Sequence, residues 1–353
     1  MVSQGAPLSL VSTVLNDRPG LVHFFDCMAR QTRLPDEIVI VDAGSKDGTW
    51  ELLLHEASSA RPWRLVPVRE MRCSPARGRN LAVERSAHAI IVSTDIGCDW
   101  DPEWLAELAR PLETDPGVEA VMGSWRVDWQ AQQTPWAQAD PLLRGGLEHV
   151  ATPQTHASNR AIAYRKALWQ RVGGLPSDLT FSGDDMVFAL LLHRAAKRVA
   201  AAPVPRCVWD RPQTFQALLK EARRNFRGSA EAGLWLDYLG LVGGRILVEW
   251  LGVAGLVLAG AFGAAPGTSL GWAAVVLLLL AWRVRSWLGF WRLVRQRGGG
   301  ARLWQVAALD YATRLWALRG YLEGLRHGAK CCRECRQRVR AAGIGWWAET
   351  RAA

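Results

Sequence analysis

Residues 36–49 read DEIVIVDAGSKDGT, an apolar run that passes into a polar turn with two glycines. Residues 37–41 have the pattern of a strand that is buried on both faces. Gly44 and Gly48 allow the turn that follows to bend sharply, because glycine adopts backbone conformations that other residues avoid. Residues 50–57 continue as a helix, so the segment indicates a strand, a turn and a helix in succession.

The segments on both sides continue this pattern. Residues 7–16 form an apolar, β-rich run, and residues 17–20 open a helix with large apolar side chains on one face. Residues 63–68 and 88–93 are two further strand-like runs. Strands that alternate with helices predict right-handed crossovers, and therefore an α/β fold with a mostly parallel sheet flanked by helices.

An acidic segment, residues 94–101 (TDIGCDWD), follows the strand at residues 88–93. Carboxylates at the carboxyl end of a strand lie in the crevice where open α/β sheets bind ligands. Hard divalent cations take oxygen ligands, so this segment is a candidate cation site. The alternative is an acidic turn that leads into a helix whose first turn is Asp101, Pro102 and Glu103.

The composition limits the classes of partner. The chain has 43 Lys and Arg residues against 33 Asp and Glu residues, a net charge of +10, which suits nucleic acid, an anionic membrane or a phosphorylated substrate. Arginines crowd the C-terminal third beside apolar segments, which disfavours a nucleic-acid-binding protein. The seven cysteines are scattered and no signal-peptide pattern precedes the first strand, so we expect free thiols. The Cys331, Cys332 and Cys335 cluster has no second ligand pair at zinc spacing.

Two apolar segments, residues 242–264 and 268–290, predict two transmembrane helices. Each is close to the ~20 residues that cross a bilayer. Arginines follow the second segment, so the positive-inside rule places that end, and the N-terminal domain, in the cytoplasm. The soluble alternative is a buried helical hairpin packed on the sheet. Arg245 and Glu249, one turn apart, are expected to pair, and residues 303–325 are expected to form an interfacial amphipathic helix.

The strand ending in Asn16, the VDAGSKDGT run at residues 41–49, the Gly-Arg-Asn run at residues 78–80 and the acidic segment occur in a defined order. This ordered set resembles family 2 glycosyltransferases of the GT-A fold over residues 7–230. The resemblance implies an inverting, hexosyltransferase-like enzyme that uses a nucleotide-diphosphate sugar and Mg²⁺ or Mn²⁺.

Residue by residue, the resemblance assigns the donor site. It implies substrate-binding roles for Thr13 and Asn16, and it matches Asp42 to the acid that binds the nucleotide base. Arg79 would reach a phosphate or the ribose, and Asp95 would lie near the ribose and the metal. Two structural alternatives stay open: Asp42 as a turn-stabilising residue and Arg79 as a surface arginine on a helix.

The acidic segment departs from the family pattern of Asp-x-Asp. Gly97 stands where the second metal-binding acid is usual, and Asp99 lies two residues further on. We therefore expect Asp95 and Asp99 to be the metal ligands. With fewer carboxylates the cation should be held more loosely, and the substrate diphosphate should supply much of the coordination.

The catalytic acids are expected at the start of a helix that runs from Asp184 through His193. Residues 159–166 and 172–176 resemble the family segments that precede the catalytic base, which matches Asp185. Neighbouring helix residues face about 100° apart, so Asp185 is assigned to deprotonate the acceptor and Asp184 to orient or cap. The alternative is that both acids serve the helix N-terminus.

The segment 223–228 (RRNFRG) is arginine-rich and lies at the end of a predicted helix from residue 215. The Gln-x-x-Arg-Trp motif of related synthases is missing, and Arg224 matches the arginine of a variant motif that binds the diphosphate. Guanidinium groups suit phosphate binding and neutralise a leaving group. The alternative is a basic juxtamembrane helix that meets anionic lipid. Before this helix, residues 199–204 and 208–209 are predicted as edge-like strands because of Pro203 and Pro205.

These observations predict three regions: a GT-A domain at 1–235, two transmembrane helices at 236–292, and a cytoplasmic interfacial helix with a basic tail at 293–353. The expected function is transfer of a sugar to a lipid or lipid-linked acceptor at the cytoplasmic face of the inner or plasma membrane, by a multi-pass protein. Residues 125–153 are expected to cover the site and select the acceptor. The alternatives are a polysaccharide synthase subunit and a non-catalytic nucleotide-sugar-binding scaffold.

Overall fold

The computed structural model describes residues 5–156, 158–180, 182–234, 243–262 and 266–344. The strands within these ranges are β1 (Leu8–Val14), β2 (Glu37–Asp42), β3 (Arg64–Arg69), β4 (Ile90–Ser93), β5 (Cys98–Trp100), β6 (Ala120–Arg126), β7 (Glu148–His149), β8 (Ile162–Arg165) and β9 (Val199–Trp209). The helices are α1 (Arg18–Ala29), α2 (Thr49–Ser58), α3 (Pro75–Arg85), α4 (Trp104–Thr114), α5 (Pro135–Leu143), α6 (Lys166–Val172), α7 (Asp184–Ala195), α8 (Phe215–Ala232), α9 (Gly244–Ala261), α10 (Pro266–Gln296), α11 (Leu303–Cys331) and α12 (Arg333–Ala341).

The strands form one mixed sheet in the order β3-β2-β1-β4-β8-β6-β9-β5, with β7 paired to β6. The four strands β3, β2, β1 and β4 are parallel, and β6 is parallel to β9. Strand β8 is antiparallel to both β4 and β6, and β5 is antiparallel to β9. The predicted α/β fold with a mostly parallel sheet, flanking helices and C-terminal apolar helices is confirmed.

The central strand β2 is buried on both faces. Ile38 and Ile40 pack on the side that contains α1 and α4, and Val39 and Val41 pack on the side that contains α3 and α7. Glu37 is buried in the same strand because its Oε2 atom accepts hydrogen bonds from the Ser9 hydroxyl (2.6 Å) and the Ala87 backbone N–H (2.8 Å). These two donors satisfy Oε2, and the Arg64 guanidinium lies 3.5 Å from Oε1, so the charge of the buried carboxylate is partly compensated.

The register of the parallel strands sets the position of the acids. Val14 of β1 is paired with Asp42, and Val11 of β1 is paired with Ser93 at the end of β4. The carboxyl ends of parallel strands meet at one edge of the sheet, so Asp42 and the Thr94–Asp95 segment lie at that edge on opposite sides of β1.

Strand β9 joins the two predicted edge-like strands into one continuous strand, which pairs with β6. The three-residue β5 pairs only with residues 207–209 of β9, so the preceding part of β9 lies at the edge of the sheet, as Pro203 and Pro205 predict. The register with β6 shifts between Gly123 and Trp125, and the shift leaves both prolines outside the paired positions.

The acidic segment after β4 contains β5, which the sequence pattern does not predict. Helix α4 begins at Trp104, so the interpretation that Asp101 to Glu103 form its first turn is wrong. Asp101 instead accepts a hydrogen bond from the Glu103 backbone N–H (3.1 Å) and pairs with Arg206 (2.8 Å) on β9. These contacts join the segment to the far side of the sheet.

Over the described residues, one helix is long and apolar enough to cross a membrane, Gly267–Gln296. Its apolar side chains are largely exposed, as Leu270 (70%) and Leu278 (71%) show. These helices are therefore not a hairpin buried against the sheet. The apolar helix Ile246–Ala261 is shorter than a bilayer requires, and residues 263–265 lie outside the described ranges, so a second span stays a prediction.

Arg283 lies within α10 and is 3% exposed. Its guanidinium contacts Glu249 of α9 (2.7 Å) and Asp310 of α11 (3.3 Å), and Asp310 also pairs with Arg314. The expected pair of Arg245 with Glu249 lies outside the described side chains, because the side chain of Arg245 is not described. The charge inside the apolar helix is thus neutralised by acids of the neighbouring helices.

Helix α11 packs against α8 through a row of glycines. A Cβ atom at Gly320, Gly324 or Gly328 would lie within 2.0–2.6 Å of main-chain atoms of Arg223, Arg227 or Glu231. Both sets repeat every four residues, so the two helices contact along one face of each. The boundary predicted at residue 235 stays a prediction, since residues 235–242 lie outside the described ranges.

We expect Gly324→Ala to destabilise the protein by about 1–3 kcal/mol, because the new methyl group would overpack the contact with the Arg227 carbonyl oxygen, 2.3 Å away. Gly289→Ala in α10 is the matched control. A Cβ atom there meets nothing within 4 Å, so this change should leave stability equal or higher. Thermal unfolding of the purified protein compares the two; equal midpoints would show that the α8–α11 contact is not tight.

Candidate active site

Arg79 connects two of the predicted acids. Its Nη2 atom is 2.5 Å from Asp95 Oδ1, and its Nη1 atom is 3.1 Å from Asp184 Oδ2. Helix α3 presents this arginine from the carboxyl side of β3, and the next residue, Asn80, hydrogen-bonds both the N–H and the carbonyl of Leu175. The alternative of a surface arginine is wrong, since Arg79 is 8% exposed.

Asp184 and Asp185 begin α7 and differ in exposure. Asp184 is buried beside Arg79, whereas Asp185 is partly exposed and its Oδ2 atom accepts a hydrogen bond from the Ser158 hydroxyl (3.1 Å). Asp185 Oδ1 also accepts from the Met186 backbone N–H (2.8 Å). This arrangement leaves Asp185 as the acid that a substrate can approach.

A close contact between two glycines positions these acids. Gly183 precedes α7 with a φ of +87°, and Gly228 of α8 packs directly on it. A Cβ atom on Gly228 would lie 2.0 Å from the Ser182 carbonyl oxygen. The absence of side chains at Gly183 and Gly228 therefore lets α8 approach the turn that carries Asp184 and Asp185.

The two acids bonded to Arg79 have pKa values shifted in opposite directions. Burial raises the pKa of Asp184 to about 6, and the charges of Asp185 and Asp95 add to the rise while Arg79 opposes it. Burial would also raise the pKa of Asp95, but the guanidinium groups of Arg79, Arg160 and Arg224 outweigh it and lower that pKa. The pKa of Asp95 is lowered, in contrast to that of Asp184, because two further cations lie near Asp95 in addition to Arg79.

Arg160 is a site residue that the sequence analysis does not single out. Its guanidinium carbon lies 3.9 Å from the centre of the Trp209 ring and 5.3 Å from that of Trp125. Its buried Nε atom has no hydrogen-bond partner within the described part of the chain. Two aromatic faces thus hold a cation beside Asp95.

Arg224 lies on the exposed face of α8, close enough for its charge to lower the pKa of Asp95. It borders a cleft of about 170 Å³ whose other lining residues are Thr180, Ser182, Lys220, Arg223, Arg227, Gly228 and Glu231. Arg223 and Arg227 are paired with Glu323 and Glu231, both within 2.8 Å. In the described residues Arg224 has no such partner, so its charge remains available.

Asp42 is fully buried at the end of β2. Its carboxylate accepts hydrogen bonds from the backbone N–H groups of Gly44 (3.2 Å) and Ser45 (3.1 Å) and pairs with Arg69 (3.2 Å). Asp42 therefore stabilises the turn, as the structural alternative predicts. Its assignment to the nucleotide base stays a prediction.

Thr13 and Asn16 lie at the carboxyl end of β1. Asn16 has a φ of +52°, and its Oδ1 atom accepts a hydrogen bond from the Lys46 backbone N–H (2.8 Å). Thr13 packs on Gly78, where a Cβ atom would lie 2.6 Å from its Cγ2 atom. Both residues border the turn that holds Asp42, and their predicted substrate contacts stay a prediction.

Asp99 has contacts that differ from those of Asp95. Its Oδ1 atom lies 3.2 Å from His23 Nε2 and 3.4 Å from Cys27 Sγ. These contacts join Asp99 to α1, whereas Asp95 is joined to α3 and α7 through Arg79. The structure thus gives the two predicted metal ligands separate partners.

The combined site has an electropositive side and a partly exposed carboxylate. Arg79, Arg160 and Arg224 surround Asp95, and such a group of guanidiniums suits a diphosphate. The partly exposed carboxylate is that of Asp185, which follows Asp184, the second acid bonded to Arg79. The arrangement can bind an anionic leaving group and accept a proton from a hydroxyl.

A family model described as Glycosyl transferase family 2 matches residues 9–174. The chain carries a family 2 glycosyltransferase domain. The matched region contains β1 to α6, including Asp42, Arg79, Asp95 and Arg160. The resemblance found in the sequence motifs is therefore confirmed for residues 9–174, which form a domain of the glycosyltransferase class.

Two curated relatives and one solved structure are similar to this glycosyltransferase. The O-antigen chain rhamnosyltransferase RfbN of Salmonella typhimurium is 26% identical over 193 residues, 50% of this chain and 57% of the relative. Glycosyltransferase AglE of Haloferax volcanii is 24% identical over 246 residues, 69% of this chain and 79% of the relative. The match thus spans little more than half of the rhamnosyltransferase.

The solved structure is the mannosyltransferase PcManGT from Pyrobaculum calidifontis in complex with GDP-Man and Mn²⁺. It superimposes with a TM-score of 0.59 at 22% identity, covering 90% of this chain and 88% of that chain. The superposition confirms the GT-A fold of the glycosyltransferase.

The structure of the glycosyltransferase brings together Arg79, Asp95, Asp184, Asp185 and Arg224. It places Asp42, Thr13 and Asn16 at the adjoining strand ends and joins Asp99 to α1. Arg160 directly follows Asn159 in the family-like run before β8, and this position is the one signal in the sequence that points to it. Its aromatic partners Trp125 and Trp209 come from two other strands, so the sequence pattern does not reveal them.

Proposed function

We propose that the glycosyltransferase transfers a sugar from a nucleotide-diphosphate sugar to a hydroxyl of a lipid or lipid-linked acceptor, with inversion at the anomeric carbon. The observation that carries the proposal is the placement of Arg79, Arg160 and Arg224 around Asp95, with Asp185 open to solvent nearby. The mannosyltransferase with GDP-Man and Mn²⁺ supports a nucleotide-sugar donor.

In the proposed reaction the acceptor oxygen attacks the anomeric carbon on the face opposite the diphosphate. The new carbon–oxygen bond forms as the bond to the β-phosphate oxygen breaks, and its electron pair leaves with the diphosphate. Asp185 takes the proton of the hydroxyl, and Ser158 orients its Oδ2 atom. Arg160 and Arg224 stabilise the charge that develops on the diphosphate. Asp184 and Arg79 hold the base relative to Asp95.

One divalent cation, Mg²⁺ or Mn²⁺, fits this site as part of a metal–diphosphate complex. Asp95 offers a single carboxylate, and three arginines lie around it. One carboxylate among positive charges is too weak a site to hold a cation unless the anionic substrate is also bound. When bound, the cation would neutralise charge on the diphosphate. Asp95 is the residue that would hold it.

The acceptor is proposed to be held at the membrane by the C-terminal helices. The exposed apolar helix Gly267–Gln296 and the charge pairing of Arg283 with Glu249 and Asp310 support an α10 that spans the bilayer. The arginines that follow it favour a cytoplasmic position for the catalytic domain, where nucleotide sugars would be available. With one membrane-spanning helix among the described residues, the chain favours the addition of single sugars over the synthesis of a polymer.

We expect the activity to fall below about pH 6 and to be level above it. As pH decreases through the raised pKa of Asp184, about 6, its carboxylate takes a proton and loses its attraction for Arg79. Asp184→Asn should lower kcat/KM at neutral pH and should remove its decrease below about pH 6. The kcat/KM for the donor, measured from acid to neutral pH, tests it; an unchanged decrease in the variant would contradict the assignment.

We expect Gly97→Asp to lower the half-saturating Mn²⁺ concentration by about tenfold, because an added carboxylate strengthens the binding of a hard cation. A Cβ atom at Gly97 meets nothing within 4 Å, so the variant should fold normally. Gly97→Asn, equal in size but neutral, is the control and should shift the Mn²⁺ dependence less. If activity depends on the Mn²⁺ concentration in the same way in all three proteins, the cation does not bind near Gly97.

The proposed function is tested with purified membranes that contain the protein and a panel of radiolabelled nucleotide sugars. We expect one donor to transfer label into material that organic solvent extracts, with release of the nucleoside diphosphate. Label that stays in the aqueous phase would disprove a lipid acceptor. Nucleotide binding without hydrolysis or transfer of any donor would favour the non-catalytic scaffold.

A further inference from the structure

A cluster of three side chains lies outside the site described above. His23 and Cys27 are one turn apart on α1, and Asp99 reaches them from β5. His23 Nε2, Cys27 Sγ and Asp99 Oδ1 are separated by 3.2, 3.4 and 3.4 Å, so the three atoms form a nearly equilateral triangle. The donor, catalytic and membrane roles proposed above do not use this cluster.

The triangle has the dimensions of one face of a zinc coordination sphere. Zinc binds sulfur, nitrogen and oxygen at about 2.0–2.3 Å in tetrahedral geometry, which separates neighbouring ligand atoms by about 3.3–3.6 Å. An ion placed close to the plane of the triangle would therefore reach all three atoms without rearrangement of α1 or β5. His23 and Asp99 are 49% and 54% exposed, so a water molecule can complete the fourth position.

Surrounding contacts orient each of the three groups. Burial and Asp99 raise the pKa of the Cys27 thiol, and the Arg30 guanidinium, 3.2 Å from Cys27 Sγ, opposes that rise. The His23 ring stacks on Trp100, and Asp99 Oδ1 accepts a hydrogen bond from the Trp100 backbone N–H (2.9 Å). Such supporting interactions are typical of metal sites, where they fix the direction of the ligands.

The chemistry of the ligands selects the ion. A thiolate together with an imidazole prefers zinc to the hard cations Mg²⁺ and Mn²⁺, which take oxygen ligands. We infer that His23, Cys27 and Asp99 form a zinc-binding site with three protein ligands that ties α1 to β5. This site is separate from Asp95, and it holds in place the strand that follows the donor-binding segment.

A second cluster provides an internal comparison. Glu231, His327 and Cys332 also bring ligand atoms close together. There the Glu231 carboxylate already accepts hydrogen bonds from Arg227 and Thr180, and Cys332 donates to the Asp178 carbonyl oxygen (3.1 Å). A cation would have to displace these partners, so we expect the second cluster to remain free of metal.

The test uses the full-length purified protein, stripped with a chelator and then titrated with Co²⁺ and Zn²⁺. We expect one equivalent of Co²⁺ to produce a thiolate-to-cobalt charge-transfer band that Zn²⁺ removes. Cys27→Ser should abolish the band, and His23→Gln and Asp99→Asn should weaken Zn²⁺ binding by at least about tenfold. Cys332→Ser, the matched control, should leave the band unchanged.

Two results would overturn the inference: a chelator-stripped wild-type protein that gives no charge-transfer band, or a band that persists in Cys27→Ser. His23 is half exposed, so His23→Gln should fold even if the buried Cys27→Ser variant does not. Unaltered Zn²⁺ binding in a folded His23→Gln protein would equally refute the site. Because the readout is metal binding, this outcome is independent of whether the sugar-transfer proposal succeeds.

Discussion

Asp185→Asn is expected to reduce the rate of sugar transfer by about 10²–10⁴-fold, the contribution typical of a general base. The amide keeps the size of the carboxylate and can still accept a hydrogen bond from Ser158, but it cannot take the proton of the acceptor hydroxyl. The KM for the donor should change little, because Asp185 does not contact the proposed diphosphate site. Initial rates at saturating donor and acceptor measure the effect.

Asp184→Asn is the natural comparison for this variant. Asp184 is buried against Arg79 and is proposed to position the site, so its loss should be smaller and should alter the pH profile. A transfer rate for Asp185→Asn equal to that of the wild-type protein would show that another group accepts the proton. A larger loss in Asp184→Asn than in Asp185→Asn would reverse the roles assigned to the two acids.

Arg224→Ala is expected to lower kcat by about 10²–10³-fold, the effect of removing one group that stabilises charge developing in the transition state. Arg224 is exposed on α8 and near Asp95, so the expected loss comes from the leaving diphosphate and not from the fold. Arg224→Lys should restore part of the rate, because a single ammonium charge replaces the guanidinium fork without its geometry.

The neighbouring Arg223 is the matched control. Its side chain pairs with Glu323 of α11 at 2.8 Å, so its charge is already neutralised. We expect Arg223→Ala to keep nearly full transfer activity and to cost little stability, since partly exposed ion pairs contribute about 0–1 kcal/mol. If both alanine variants bind anionic lipid vesicles more weakly but transfer sugar normally, the basic-helix alternative holds for Arg224.

The sequence predicts the part of the site that follows from strand ends and helix starts. Asp42 and Asp95 lie at the same edge of the sheet because parallel strands meet there, and Asp185 lies in the first turn of α7, as the strand and helix patterns predict. These rules are local, since each needs one strand or one helix and its neighbouring turn. The angle between adjacent helix residues predicts that Asp184 and Asp185 face different directions, but it does not predict which of the two is buried.

The features that the sequence did not predict depend on contacts between distant segments. Arg160 is held by Trp125 of β6 and Trp209 of β9, and no local pattern pairs those rings. The prolines of β9 correctly predict an edge position, but the joining of the two predicted strands into one across a bulge opposite Gly123 depends on the distant strand β6. Asp99 meets Cys27 across 72 residues of chain, so its separation from Asp95 is visible only in three dimensions.

The packing of α11 on α8 is an intermediate case. Gly320, Gly324 and Gly328 are spaced four residues apart, a pattern that is visible in the sequence. It marks one face of a helix that a neighbour can approach closely, but it does not identify the neighbour. The interfacial helix expected for residues 303–325 therefore also has a protein-facing side, which supports the helix that carries Arg224.

The central claim is that Asp95, Arg160 and Arg224 together hold the diphosphate of the donor. Anomalous diffraction from crystals grown with Mn²⁺ and the nucleoside diphosphate of the preferred donor tests it most directly. We predict a manganese peak bonded to Asp95 and a diphosphate between Arg160 and Arg224, with Asp185 facing the vacant sugar position. A nucleotide bound elsewhere, with Asp95 still held by Arg79 alone, would contradict the proposal.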